Sequence, residues 1–142
     1  MSGAEVITTS CDGHVVVALC GELDVTGAAE AEAAIAALVA RGQYLVIDMS
    51  ALVFLDCAAL GALRRVRGLA RRGQHHITAA APQPLVRRLL ALTGSHEVFC
   101  IQASVAAAIA GIARRRRRYS WRRLAVRTSG PGRAAPSRTG TG

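Results

Sequence analysis

Asp56 and Cys57 bring a carboxylate and a thiol together near the middle of the chain. An apolar run at residues 44–49 precedes them and predicts a buried strand, and a stretch with helical spacing of apolar residues follows. Domains of the α/β class often place catalytic or recognition groups where a strand leads into a helix. These two residues therefore predict a functional site, in which Cys57 is a candidate nucleophile, redox group or contact residue.

A Cys-His-Asp hydrolase is the catalytic alternative for Cys57, with four histidines available, at positions 14, 75, 76 and 96. None of them stands in a recognisable catalytic context, so we predict that the protein is not an enzyme. A redox role is a further alternative, because thiols at helix N-termini are often reactive. The neighbouring negative charge of Asp56 opposes such reactivity, and we predict that Cys57 is an inert steric substitute for serine.

Acidic and histidine side chains offer other kinds of site. Asp24 and Asp56 could form a catalytic pair of carboxylates, but aspartate in such positions more often caps a loop or a helix, and we predict caps. Asp48 has a predicted structural role. His75 and His76 are adjacent on a predicted strand and would point to opposite faces, which disfavours a metal site. We therefore predict no metal and no cofactor.

The four cysteines, at positions 11, 20, 57 and 100, lack a C-x-x-C pair and match neither a zinc site nor a disulfide framework. Free thiols are typical of a reducing compartment. The first twelve residues include Glu5 and Asp12 and lack the apolar segment of a signal peptide. No apolar run approaches the ~18 residues that span a membrane. We therefore predict a soluble, cytoplasmic protein.

The positive charge is concentrated at the C-terminal end of the sequence. Residues 1–113 contain eight Arg and nine acidic residues, whereas residues 114–142 contain ten Arg and no acidic residue. A chain of 142 residues has room for one domain. We predict a domain over 1–113 and a disordered, Arg-rich tail over 114–142. The tail segment RRRRRYSWRR leaves open the alternative that it binds nucleic acid or an anionic membrane.

Hydrophobic periodicity predicts strands and helices in the order ββαβαβαβα. An Asp-Gly turn signal at 12–13 predicts a hairpin of the first two strands, and helical connections between the later strands predict a largely parallel sheet. The predicted strands are residues 5–9, 14–20, 44–49, 75–81 and 98–101. The predicted helices are 26–40 with Thr26 as N-cap, 57–72, 84–92, and 104–112 with Ser104 as N-cap.

Four short motifs occur in an order and at a spacing that resemble those of one protein family. They are GELD at 21–24, LVIDMS at 45–50, VFLDCAALGAL at 53–63 and PLVRRLLALTG at 84–94. Together they resemble the STAS domain of bacterial anti-sigma factor antagonists, over about residues 6–111. The resemblance implies an α/β fold, with a mixed β-sheet of four to five strands and about four helices packed on one face.

The same resemblance implies a protein-binding function. In that family the domain docks on an anti-sigma factor that is also a serine kinase, and phosphorylation of the serine after the motif's aspartate ends the interaction. In this sequence that position is Cys57, Ala58 and Ala59 follow it, and residues 51–77 contain no Ser or Thr. The partner-binding residues that the resemblance implies, carried over by position, are Asp24, Asp56, Cys57, Ala58, Leu60 and Gly61.

The missing hydroxyl at position 57 leaves three interpretations open. The protein is an antagonist that is always competent to bind, a module that binds another signalling partner without phosphorylation, or a degenerate copy with little activity. We favour the first interpretation, which is a protein-binding module in a partner-switching pathway that regulates sigma factor activity. The sequence indicates no small-molecule substrate.

Overall fold

The first two strands form the hairpin that the sequence predicts. The computed structural model describes three segments of the chain, residues 3–11, 13–73 and 75–128. The described residues form five strands, β1 (Glu5–Cys11), β2 (His14–Leu23), β3 (Tyr44–Asp48), β4 (Leu52–Leu55) and β5 (Ile77–Ala80). β1 pairs antiparallel with β2 along its whole length. Between them Gly13 has φ 78°, a left-handed conformation that glycine adopts without steric cost.

The central strand β2 changes its partner along its length. Its first residues pair in parallel with β3, and β3 pairs in parallel with β5. At Gly21 the register shifts, and beyond that point β2 pairs with β4. Residues 51–55 lie outside every predicted strand and helix, yet Leu52–Leu55 form β4. Leu52 and Leu55 are buried while the two residues between them are exposed, so β4 lacks the alternation that identifies a strand from sequence.

Three helices cover one face of the sheet. The described residues form five helices, α1 (Val25–Ala40), α2 (Cys57–Arg72), α3 (Pro84–Leu92), α4 (Ser95–Val98) and α5 (Val105–Thr128). Ile35 of α1, Leu63 of α2 and Leu90 of α3 are buried in one cluster with Val17 and Ile47 of the sheet. Burial of each such side chain contributes about 1.5–3 kcal/mol. Among the described helices, none combines the length and the apolar character that a bilayer crossing requires.

The last helix, α5, covers the opposite face of the sheet. Val46 lies between two residues of the main cluster, and alternate residues of a strand point to opposite faces. It is buried in a second cluster with Ala80 of β5 and with Ala108 and Ile112 of α5. The predicted α/β fold with a mixed sheet is confirmed, but the expectation that the helices pack on one face is wrong for α5. Helical periodicity shows which side of a helix is buried, not which face of a sheet it covers.

The same helix is longer than the sequence predicts. The regular architecture is expected to end near residue 113 and to be followed by a disordered tail, but α5 continues to Thr128. Arginine is a good helix former, and residues 113–128 contain no Gly or Pro that would stop a helix. The remainder of the predicted tail, residues 129–142, lies outside the described residues.

The prediction of a strand at 98–101 is also wrong. The short helix α4 extends to Val98, and Gln102 forms an isolated bridge with Ala80. Gly94 has φ 69° and separates α3 from α4. Ser95 is buried, and its hydroxyl oxygen lies 2.9 Å from Oγ1 of Thr93. Cys100 has φ 48°, a left-handed conformation that interrupts a strand between Phe99 and Gln102.

Candidate functional site

The carboxylate of Asp56 joins the first turns of two helices. Its Oδ1 accepts a hydrogen bond of 2.9 Å from the backbone N–H of Ala59, which caps α2 as the sequence predicts. Its Oδ2 accepts a second bond of 2.9 Å from the backbone N–H of Val25, the first residue of α1. One side chain therefore satisfies a free N–H group in each of two helix N-termini. The second bond spans 31 residues of sequence and has no local signal.

Asp24 is the N-cap of α1. Its Oδ1 accepts hydrogen bonds from the backbone N–H of Thr26, at 2.9 Å, and from the Thr26 hydroxyl. These two bonds, the hydroxyl first, hold the pKa of Asp24 below its usual value. The prediction that Thr26 caps α1 is wrong, because Thr26 donates the hydrogen bond and Asp24 is the N-cap. Both aspartates therefore stabilise helix starts, as expected for caps rather than for a catalytic pair.

Cys57 lies at the exposed start of α2. It is the first residue of the helix and its side chain is exposed. Ala58 and Gly61 are half-buried, whereas Leu60 is 8% exposed and lies in the main core cluster. Of the residues predicted to bind a partner, Cys57 is the most accessible. Leu60 anchors the helix from below the surface.

Three exposed apolar residues lie at the start of α1 and on the strand that leads into α2, and their grouping is not evident from the sequence. We define the apolar rim as Val25, Val53 and Phe54, whose side chains are 68%, 49% and 39% exposed. Val25 is bonded through its N–H to Asp56, and the other two residues belong to β4, which leads directly into α2. Exposed apolar residues grouped around one site are typical of a protein-binding surface. A sequence signal exists for Val25, which is an apolar residue directly after a helix cap.

Three of the four histidines lie at the other end of the sheet from Cys57. Cys57 follows the carboxyl ends of β2 and β4. His14 is paired with Tyr44 at the amino ends of β2 and β3, and His75 and His76 precede β5. These three imidazoles therefore cannot accept a proton from the Cys57 thiol. The described residues contain no group of three or more His, Cys, Asp or Glu side chains that could hold a metal ion.

Salt bridges and hydrogen bonds fix the helices behind the site. Arg65 of α2 forms two hydrogen bonds to the carboxylate of Glu32 in α1, with N···O distances of 2.6 and 2.9 Å. This pair lowers the pKa of Glu32 and raises the pKa of Arg65. Arg64 donates from Nη2 to the carbonyl oxygen of Thr93, at the end of α3. The two contacts hold α1, α2 and α3 side by side, so the first turns of α1 and α2 present one continuous surface.

The mixed sheet with helices on both faces places the protein in the α/β class. A family model for the STAS domain matches residues 5–108. The chain belongs to the STAS domain family. The resemblance on which the sequence analysis relies is therefore confirmed. No curated protein sequence matches the chain.

Solved structures agree with this family. An anti-sigma factor antagonist from Mycobacterium paratuberculosis is 29% identical, with a TM-score of 0.72, and the match covers 78% of this chain and 95% of that one. The antagonist SpoIIAA in its unphosphorylated form is 19% identical, with a TM-score of 0.67 over 77% of this chain and 96% of its own. Phosphorylated SpoIIAA of Bacillus is 18% identical, with a TM-score of 0.60 over 78% and 99%. The likeness to SpoIIAA shows a shared fold.

Proposed function

We propose that this STAS domain binds an anti-sigma factor of the serine kinase type, and that phosphorylation at position 57 does not end the binding. The exposed Cys57 at the first residue of α2 carries the proposal, because the family resemblance implies a phosphorylated serine there. The 29% identity to an anti-sigma factor antagonist supports the class of partner. The protein then acts in a partner-switching pathway as an antagonist that stays competent to bind.

The chemistry of the side chain gives this proposal its physical content. A serine kinase transfers a phosphoryl group to a hydroxyl oxygen, and residues 51–77 contain no Ser or Thr. A phosphoryl group would add about −1.5 to −2 charges, next to the carboxylate of Asp56. A partner that covers this surface could not leave such a charge without compensation. Because position 57 has no hydroxyl group to accept a phosphoryl group, phosphorylation there cannot change the charge of the surface.

The proposed contact surface has an apolar and a polar part. The apolar rim supplies side chains that a partner can bury, and Cys57 and Ala58 lie beside it at the helix start. Asp24 and Asp56 set the geometry through their caps, and the half-buried Gly61 lies one turn further along α2. In this proposal Leu60 contributes indirectly, by holding α2 against the core.

Phosphorylation provides the first test. We expect no phosphoryl group on the native protein after incubation with ATP and an anti-sigma kinase encoded in the same genome, as measured by intact mass spectrometry. Cys57→Ser restores the hydroxyl at an exposed helix start, so we expect one phosphoryl group on that variant, and none on the control Cys57→Ala. A stoichiometric phosphate on the native domain would refute the proposed loss of the switch.

Binding provides the second test, with a pair of matched variants. Val25 in the rim and Leu92 at the end of α3 are both exposed, at 68% and 75%. We expect Val25→Asp to weaken binding of the anti-sigma factor by about tenfold or more in calorimetry, because it places a charge in a desolvated contact. Leu92→Asp should leave the affinity unchanged. Equal effects of the two variants would contradict the proposed surface, and absence of binding by the native protein would support another partner or a degenerate copy.

A further inference from the structure

The near-neutral charge of residues 1–113 conceals a separation of charge along the chain. Residues 1–56 contain eight acidic residues and one Arg, a net charge of −7, whereas residues 57–113 contain seven Arg and one acidic residue, a net charge of +6. The fold converts part of this division into a spatial one. Asp24, Asp48 and Asp56 lie at the carboxyl ends of the strands, where α1 and α2 begin. Because each helix runs back along the sheet, α1 and α2 end at the amino ends of the strands.

The ends of α1 and α2 meet at His75. Gly42, just after α1, is so close that a methyl group on it would lie 3.4 Å from Cε1 of this imidazole. The backbone N–H of His75 donates a hydrogen bond of 2.8 Å to the carbonyl oxygen of Ala70 in α2. Three exposed arginines end these two helices, Arg41 after α1 and Arg71 and Arg72 in the last turn of α2. They therefore lie at the same end of the molecule.

The helix α5 reaches this end from the other face of the sheet. Nη1 of Arg115 lies 2.9 Å from Nδ1 of His76, and the His76 ring stacks on Tyr44 with a centroid distance of 5.7 Å. Arg114 and Arg117 flank this contact and are exposed. We define the basic end by the five exposed arginines Arg41, Arg71, Arg72, Arg114 and Arg115, which three helices bring together around the two histidines.

Beyond this contact α5 continues as a strongly cationic helix. Residues 114–128 are helical and include eight Arg, and fifteen residues of α-helix are about 22 Å long. Five of the arginines, residues 114–118, are consecutive. Consecutive positions of an α-helix are about 100° apart, so no apolar stripe can continue through residues 114–118. A helix that lies in a membrane surface needs a continuous apolar side, which this sequence does not provide.

We propose that the basic end and the helical extension of α5 bind the phosphate backbone of double-stranded nucleic acid, independently of base sequence. A strongly cationic helix fits a groove with phosphates on both walls, and the major groove of B-DNA is about 12 Å wide, close to the diameter of an α-helix. Arginine forms paired hydrogen bonds with phosphate. The arginines that end α1 and α2 would then contact the backbone beside the groove. Since this surface lies opposite Cys57, the domain can hold nucleic acid and a protein partner at the same time.

The test uses the full chain and two matched pairs of adjacent, exposed arginines. Arg71 and Arg72 belong to the basic end, whereas Arg87 and Arg88 lie in the middle of α3. Binding to a fluorescein-labelled DNA duplex about two helical turns long is measured by anisotropy at several salt concentrations. Each phosphate contact contributes about −0.9 to the slope of log K against log salt. We expect the double variant R71Q/R72Q to reduce the slope by about 1.8, which weakens binding roughly 60-fold at 0.1 M salt, while R87Q/R88Q leaves the slope unchanged.

Three results would overturn the proposal. If both double variants reduce the slope equally, the duplex responds to the net charge of the protein and not to the basic end. Lack of duplex binding by the native chain at 0.1 M salt would exclude the activity. Tighter binding to vesicles of phosphatidylcholine and phosphatidylglycerol than to the duplex would assign the basic end to a membrane surface. Binding of the anti-sigma factor by R71Q/R72Q is measured as a control. If it is unchanged, the loss of duplex binding is independent of the proposed protein-binding function.

Discussion

The two ends of the sheet are built from opposite charges and by different interactions. At the carboxyl end, Asp24 and Asp56 accept hydrogen bonds from the first turns of α1 and α2. At the basic end, arginines follow or complete the last turns of the same helices, and the contact between His76 and Arg115 joins the edge of the sheet to α5. Anions stabilise helix N-termini and cations stabilise C-termini. Because α1 and α2 run in the same direction, their acidic caps lie at one end of the domain and their C-terminal arginines lie at the other.

The carboxyl end depends on one side chain more than on any other, and this gives the largest expected effect. Asp56→Ala removes an acceptor from two helix N-termini at once, so we expect the free energy of unfolding to fall by about 2 kcal/mol or more. Asp24→Ala removes the cap of one helix and should cost less. Urea unfolding followed by circular dichroism measures both losses.

Asp56→Asn is the control for this comparison. Its side chain keeps one carbonyl oxygen, so it can cap one of the two helices. We therefore expect its free energy of unfolding to lie between those of the native protein and Asp56→Ala. If Asp56→Ala lowers the free energy of unfolding by less than about 0.5 kcal/mol, as ordinary surface substitutions do, the bond between Asp56 and Val25 does not stabilise the protein.

The contribution of the basic end to the stability of the fold should depend on pH, and we expect this effect to be smaller than that of Asp56→Ala. Burial, and then the positive charges of Arg115 and His75, hold the pKa of His76 below its usual value of 6.5. The unfolded chain therefore binds more protons at this site than the folded chain as the pH falls below 6.5. We expect the stabilising contribution of His76 to be complete above that pH and to be lost progressively on acidification towards its lowered pKa. Urea unfolding between about pH 5 and pH 8 measures the change.

Variants of the contact between His76 and Arg115 isolate this contribution. His76→Gln should flatten the pH dependence above pH 5, and Arg115→Gln should reduce it, because it removes one of the charges that lower the pKa of His76. The carboxylates Asp24 and Glu32 also have lowered pKa values, but their stabilising contributions are lost below their usual values of 3.8 and 4.5. Their titration therefore lies outside the measured range. An unchanged slope in His76→Gln would mean that His76 does not couple α5 to the sheet.

Local sequence signals predict much of the fold and one part of the site. The Asp56 cap and the bounds of α2 follow from residues that are adjacent in the sequence, and the structure confirms them. The strand β4 is missed because its burial does not alternate, and the strand predicted at 98–101 is absent because the left-handed backbone at Cys100 interrupts it.

Features that depend on distant residues could not be predicted in the same way. The bond between Val25 and Asp56 and the position of α5 on the second face arise only when separate elements pack together. The apolar rim and the basic end have the same origin, because each combines residues from two or more elements. Their composition is visible in the sequence, but their grouping is a property of the packed sheet.

The position of α5 on its own face of the sheet has a consequence for protein synthesis. Val46 and Ala80 are translated before the residues that cover them, Ala108 and Ile112, so this apolar surface stays open in the nascent chain. The second face of the sheet is therefore completed only after α5 has been synthesised, later than the core beneath α1, α2 and α3.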